Sequence, residues 1–101
     1  MAIEKFILVT ATHMPQHKHF KKLAEELSKE LKIDLEIREE DYVFVSTYGE
    51  KDEFGMSWLP QLFAVVDGEI KPILTKFPIN EKTLELDYEK ALKEVKEKLG
   101  L

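Results

Sequence analysis

There is no cysteine anywhere in the 101 residues. Disulfides, thiolate nucleophiles and thiolate metal ligands are therefore excluded, and with them any thiol–disulfide exchange. Side-chain amides are scarce as well: Asn80 is the only asparagine, and Gln16 and Gln61 are the only glutamines. Many charges beside few thermolabile amides make a thermophile-like balance. No apolar run approaches the ~18 residues of a membrane span. The first residues, "MAIEKFILVTAT", have too short an apolar core and no cleavage pattern for a signal peptide, so a cytoplasmic location is expected. Basic charge is in deficit, with 15 Lys and Arg against 20 Asp and Glu and a net charge of −5. No basic stripe stands free of acids, so a nucleic-acid partner is not expected. Ser-His-Asp, paired-carboxylate and phosphate-binding glycine motifs are missing too, which leaves an enzyme the least supported reading.

What is present reads as one domain over residues 1–101. The apolar fraction of 44% with 10% aromatics is ordinary for a globular chain. "KFILVT" (5–10) is a short, β-branched apolar run, the mark of a buried strand. Phe20, Leu23, Ala24, Leu27 and Leu31 then recur at helical spacing, predicting a helix over 15–31 with Pro15 in its first turn. "KIDLEIRE" (32–39) alternates Ile33, Leu35 and Ile37 with charged residues, predicting a strand with one buried face. Residues 40–50 are ambiguous. Val43, Val45 and Thr47 favour a strand, whereas Tyr42, Val45 and Tyr48 would share a helical face stopped by Gly49. "PQLFAVV", the turn Asp67-Gly68 and "EIKPIL" predict a β-hairpin. Pro72 has no N–H to donate, which puts its strand at a sheet edge. Tyr88, Ala91, Leu92, Val95 and Leu99 make a last apolar stripe, with Asp87 as N-cap and Gly100 as stop.

A strand–helix–strand crossover followed by a hairpin and a helix resembles the thioredoxin-like arrangement, and "FGMSWLPQLFAVVDGEIK" (54–71) resembles the stretch around that family's cis-proline. Pro60 stands at the cis-proline position, with Leu59 before it and Asp67-Gly68 at the turn. Where the family carries Cys-Pro-x-Cys at the start of its first long helix, this chain has Met14-Pro15-Gln16-His17. The resemblance implies an α/β fold with a four-stranded mixed sheet flanked by three helices. It also implies a cis Leu59–Pro60 bond and a helix over about 41–49, against local propensity. Met14 cannot be deprotonated and His17 cannot form a disulfide, so the redox chemistry of the family is lost.

Three functions remain on such a scaffold. The first is binding of a protein or peptide by strand addition in the groove beside the cis-proline. That groove would be built from Met14, Pro15, Gln16, His17, Trp58, Leu59 and Pro60. Its partner is not named by the sequence, and a homodimer through an exposed apolar surface is a further outcome. Trp58 is equally well read as a core anchor under the first helix. The second is metal binding. His13 and His17 share a face if the helix begins near 13, and Met14 adds a thioether suited to Cu(I) rather than Zn(II). The set lacks a fourth ligand, and solvated histidines at a polar helix start are the plainer reading. The third is catalysis, with His17 as general base and Thr10, Thr12 or Gln16 holding a substrate. Glu39, Glu40 and Asp41, like Glu50, Asp52 and Glu53, read as loop and helix-end charges.

Overall fold

The computed structural model describes residues 2–101. The first strand, β1 (Ile3–Thr10), is buried from Phe6 to Thr10. The chain then turns twice before α1 (His17–Leu31). Met14 N–H donates to the Ala11 carbonyl at 3.0 Å, and His17 N–H to the Met14 carbonyl at 3.1 Å. Pro15 therefore lies in the turn ahead of the helix and not in its first turn, as its spacing suggested. Leu31 ends α1 because Lys32 takes the left-handed conformation (φ 56°) and its N–H closes on the Ser28 carbonyl. Ile33 N–H bonds to the same carbonyl at 3.1 Å, so β2 (Leu35–Glu39) starts three residues later than its alternation implied.

Residues Tyr42–Tyr48 form a helix, α2. Asp41 decides the ambiguity: its side chain accepts the Phe44 N–H at 3.0 Å, an N-cap that a strand could not use. The buried residues are Phe44 and Val45. Tyr42 and Tyr48, expected on the inner face with Val45, are 53% and 43% exposed. The hairpin pairs β3 (Gln61–Val66) with β4 (Glu69–Leu74). Asp67 and Gly68 both have positive φ (51° and 81°), as a type I′ turn requires. The last helix, α3 (Tyr88–Lys98), begins with the Asp87 side chain accepting the Lys90 N–H at 3.0 Å.

The four strands form a mixed open sheet in the order β2-β1-β3-β4. β1 and β2 run parallel, with Phe6 beside Leu35 and Leu8 beside Ile37. β3 runs antiparallel to both β1 and β4. Pro72 sits on the outer strand opposite Phe63, so its missing N–H faces no neighbour. β2 is the other edge. Its predicted buried face thins along the strand, for Leu35 is half-buried and Ile37 is 43% exposed.

Two cores follow from the alternation of side chains across the sheet. On one face Phe6, Leu8, Leu62, Ala64 and Leu74 pack against Phe20, Leu23 and Leu27 of α1 and Ala91 and Val95 of α3. Each large side chain buried there stabilises the fold by ~1.5–3 kcal/mol. On the other face Ile7, Val9 and Phe63 lie under Phe44 and Val45, with Phe44 edge-on to Phe63 at 5.2 Å. This smaller core also takes in Leu59 and, partly, Met14. It is the packing that positions the site. No helix among the described residues is long and apolar enough to cross a membrane.

Candidate functional site: a groove across Leu59–Pro60

The antiparallel register of β1 and β3 pairs Val9 with Gln61. The segment leaving β1 and the segment entering β3 are therefore neighbours at one end of the sheet. The first is the Met14-Pro15-Gln16 turn. The second is Trp58-Leu59-Pro60, in which the Leu59–Pro60 peptide is cis. Between them runs a groove in two contiguous parts. One part, of about 210 Å³, is lined by Met14, Pro15, Gln16, Leu59 and Pro60. The other, of about 360 Å³, shares Gln16, Leu59 and Pro60 and adds Trp58, Thr75, Lys76 and Phe77.

Six of the seven residues expected in the groove thus line it. His17 does not. Its Nδ1 lies 2.8 Å from Oγ1 of Thr10, and Thr10 is 1% exposed. The pair fastens the start of α1 to the end of β1. His13 precedes the helix, so it cannot share a helical face with His17. Its Nδ1 lies 3.5 Å from a carboxylate oxygen of Glu40, and the His19 ring stands 6.0 Å from that of Phe77. The three histidines point to three different partners. No group of three His, Asp or Glu side chains among the described residues is arranged to hold a metal. Of the residues offered for catalysis His17 and Thr10 do meet, but neither lines the groove. Thr10 is engaged by His17, and Thr12 Oγ1 donates to Glu39 at 3.1 Å.

Trp58 is a wall of the groove and not an anchor beneath α1. Its indole N–H donates to the Thr75 carbonyl at 2.8 Å, and Lys76 Nζ stands 5.3 Å from the ring centroid. Thr75, Lys76 and Phe77 were missed in the sequence, although the hairpin holds the signal. Leu62 pairs with Leu74, so the residues after 74 must run beside those before 62.

Gln61 was missed as well. Its side chain is fully buried, and it makes three hydrogen bonds to backbone. Oε1 accepts the Glu50 N–H at 2.9 Å, while Nε2 donates to the carbonyls of Glu50 at 3.1 Å and Trp58 at 3.0 Å. The loop between α2 and β3 is clamped onto the sheet by this one amide. Asp52 stiffens the same loop, its Oδ1 accepting the N–H groups of Phe54 and Met56.

Two polar features of the groove lack partners. Among the described residues neither the N–H nor the C=O of Leu59 is hydrogen-bonded, although Leu59 is 5% exposed. Gln16 stands at the N-cap of α1 without capping it, so the Lys18 and His19 amides have no partner either. No acidic side chain lines either part. The Asp41 carboxylate serves the frame as the cap of α2. The Phe44 N–H, and then Arg38, hold the Asp41 carboxyl below the usual range.

No protein-family model, curated protein or solved structure matches the chain. The groove's role rests on its own geometry.

Proposed function

We propose that this chain is a thioredoxin-like domain without redox chemistry, and that its groove across Leu59–Pro60 binds an extended peptide or protein segment without catalysis. The strand order, with a parallel β1–β2 crossover and an antiparallel β3–β4 hairpin, supports the fold reading. The observation that carries the function is the unpaired backbone of Leu59. Each hydrogen bond a partner made to its N–H or C=O would contribute about 0.5–1.5 kcal/mol. An extended chain laid along Leu59 would satisfy both groups by strand addition, its side chains entering the two parts of the groove.

The test is a ¹H–¹⁵N correlation spectrum of the labelled protein titrated with synthetic extended peptides. The Leu59 amide and the Trp58 indole resonance should shift together, while amides of α3 stay in place. Peptides N-methylated at the pairing positions should lose the effect, because they keep their side chains but cannot complete the ladder. Shifts confined to α3, or unaffected by N-methylation, would remove the reading.

A further inference from the structure

The larger part of the groove carries a charge that the protein itself does not answer. The chain is acidic, yet the walls formed by Gln16, Trp58, Thr75, Lys76 and Phe77 hold one cation and no carboxylate. Lys5, Arg38, Lys71 and Lys96 each meet a carboxylate. Lys76, like most lysines of the chain, meets none among the described residues, and its ammonium rests over the face of Trp58. Beside it Thr75 is 92% buried, being 8% exposed. Its carbonyl is taken by the Trp58 indole, while its hydroxyl makes no hydrogen bond within the described residues and stays open to solvent rather than sealed in the core. An ammonium held on a ring face and an open hydroxyl on adjacent residues form a donor pair in a slot without a carboxylate. The uncapped N-terminus of α1, at Gln16 on the opposite wall, adds partial positive charge of the same sense.

We propose that this slot receives an acidic side chain, so that the segment bound across Leu59–Pro60 carries an aspartate or glutamate at the position facing Lys76. This inference rests on the peptide-binding reading and names the chemistry of its partner. The carboxylate would accept from Lys76 Nζ and Thr75 Oγ1, while its methylenes lie against Trp58 and Phe77. A lysine in the same place would meet a like charge, and a leucine would leave the Thr75 hydroxyl unpaired.

Terminally blocked hexapeptide pools test it, each fixed at one central position as Asp, Glu, Gln, Lys or Leu. Trp58 is the only tryptophan, so its emission reports directly on the slot. The Glu pool should bind about fivefold more tightly than the isosteric Gln pool at low salt, a ratio typical of a partly exposed charge pair. High salt should shrink the difference. Lys76→Gln should abolish it, and Lys76→Glu should turn the preference toward the Lys pool. Thr75→Val should weaken the Asp and Glu pools and strengthen the Leu pool, which then leaves no hydroxyl unpaired. Lys76 is exposed, so its variants should keep the wild-type circular dichroism. Equal binding of the Glu and Gln pools, or a Lys76→Glu variant that keeps the acidic preference, would overturn the inference and leave the groove reading standing. If no pool moves Trp58 emission or the Leu59 amide, both fall.

Discussion

Replacing Gln61 by leucine should unfasten the loop that carries half of the groove. The substitution keeps the approximate volume and removes all three side-chain hydrogen bonds, leaving Glu50 N–H, Glu50 C=O and Trp58 C=O without their partner. Each group deprived of a buried partner costs about 1–3 kcal/mol. Glu50 is exposed and Trp58 half-buried, so water can return to part of the set. The leucine also gains from burial. The net loss should be ~2–4 kcal/mol, a large share of the ~5–15 kcal/mol that holds a domain of this size together. At ~4–8 °C per kcal/mol the midpoint of thermal unfolding should fall by roughly 10–25 °C. Gln16 supplies the control. It is the other glutamine of the chain, and its side chain makes no hydrogen bond among the described residues. Gln16→Leu should therefore change stability by no more than ~0.5 kcal/mol. Melting followed by far-ultraviolet circular dichroism, with Trp58 emission read in parallel, gives both numbers. The reasoning is refuted if the two variants melt within two or so degrees of each other.

Three further outcomes follow from the same frame. Gly49→Ala would place a Cβ 2.6 Å from both Gln61 Oε1 and the Val45 carbonyl. Since φ there is an ordinary −85°, the cost is collision and not backbone strain. Urea unfolding should show ~1–3 kcal/mol lost, and wild-type stability would show that the loop yields freely. The Glu36 carboxyl is held below its usual range, chiefly by Lys5, and Asp41 is lowered by its cap. Groups so lowered stabilise the fold fully above their unfolded values, near pH 4, and lose that contribution as the pH falls through the folded ones. Stability should thus be flat in these groups from neutral pH to about 5 and decline below 4, and Glu36→Gln should flatten that acid limb. Finally, Met14→Cys with His17→Cys should give an intramolecular disulfide on mild oxidation. The turn bonding His17 N–H to the Met14 carbonyl keeps the two Cα atoms within ~7 Å, near the range a disulfide spans. A double variant that stays reduced, or links only between molecules, would count against the thioredoxin-like reading of this corner.

The elements with strong periodicity were legible in the sequence: β1, α1, the hairpin and α3 stand within two or three residues of where their patterns put them. The bounds moved where backbone capping, invisible to periodicity, took over. Lys32 in the left-handed region shortened β2, and the double turn through Met14 delayed α1. Residues 42–48 were misleading locally, because Val43, Val45 and Thr47 look like a strand. The helix owes its existence to the Asp41 cap and to the burial of Phe44 and Val45 on the second face of the sheet, which only the tertiary arrangement supplies. The groove was legible on the sides named by Met14-Pro15-Gln16 and Trp58-Leu59-Pro60. Its third wall, 75–77, comes from hairpin register, and its brace, Gln61, from a single polar residue inside an apolar strand. A lone buried glutamine at the head of "QLFAVV" is a polar group that must find partners. That was the signal available.

The clustering of every histidine between residues 13 and 19 now has a structural account that needs neither metal nor acid–base chemistry. The segment from Ala11 to Gln16 has no regular structure of its own, and it sets Pro15 and Gln16 beside Leu59 and Pro60. His13 lies in it, His17 and His19 stand in the first turn of α1 that follows, and each meets a different surrounding element. His17 holds the head of α1 to Thr10 at the end of β1. His13 reaches Glu40, whose N–H is bonded to the Thr10 carbonyl at 2.8 Å. His19 lies against Phe77 on the third wall. A hydrogen bond of this kind contributes ~0.5–1.5 kcal/mol, so no single contact fixes the turn. Their value lies in direction, since three weak ties to three bodies constrain a short segment more completely than one strong tie to one. A groove braced in this way holds no thiol, so its shape does not depend on a thiol–disulfide balance. On the proposed reading that is what a binding surface needs and what a thiol-exchange site, whose ends must alternately bond and separate, could not use.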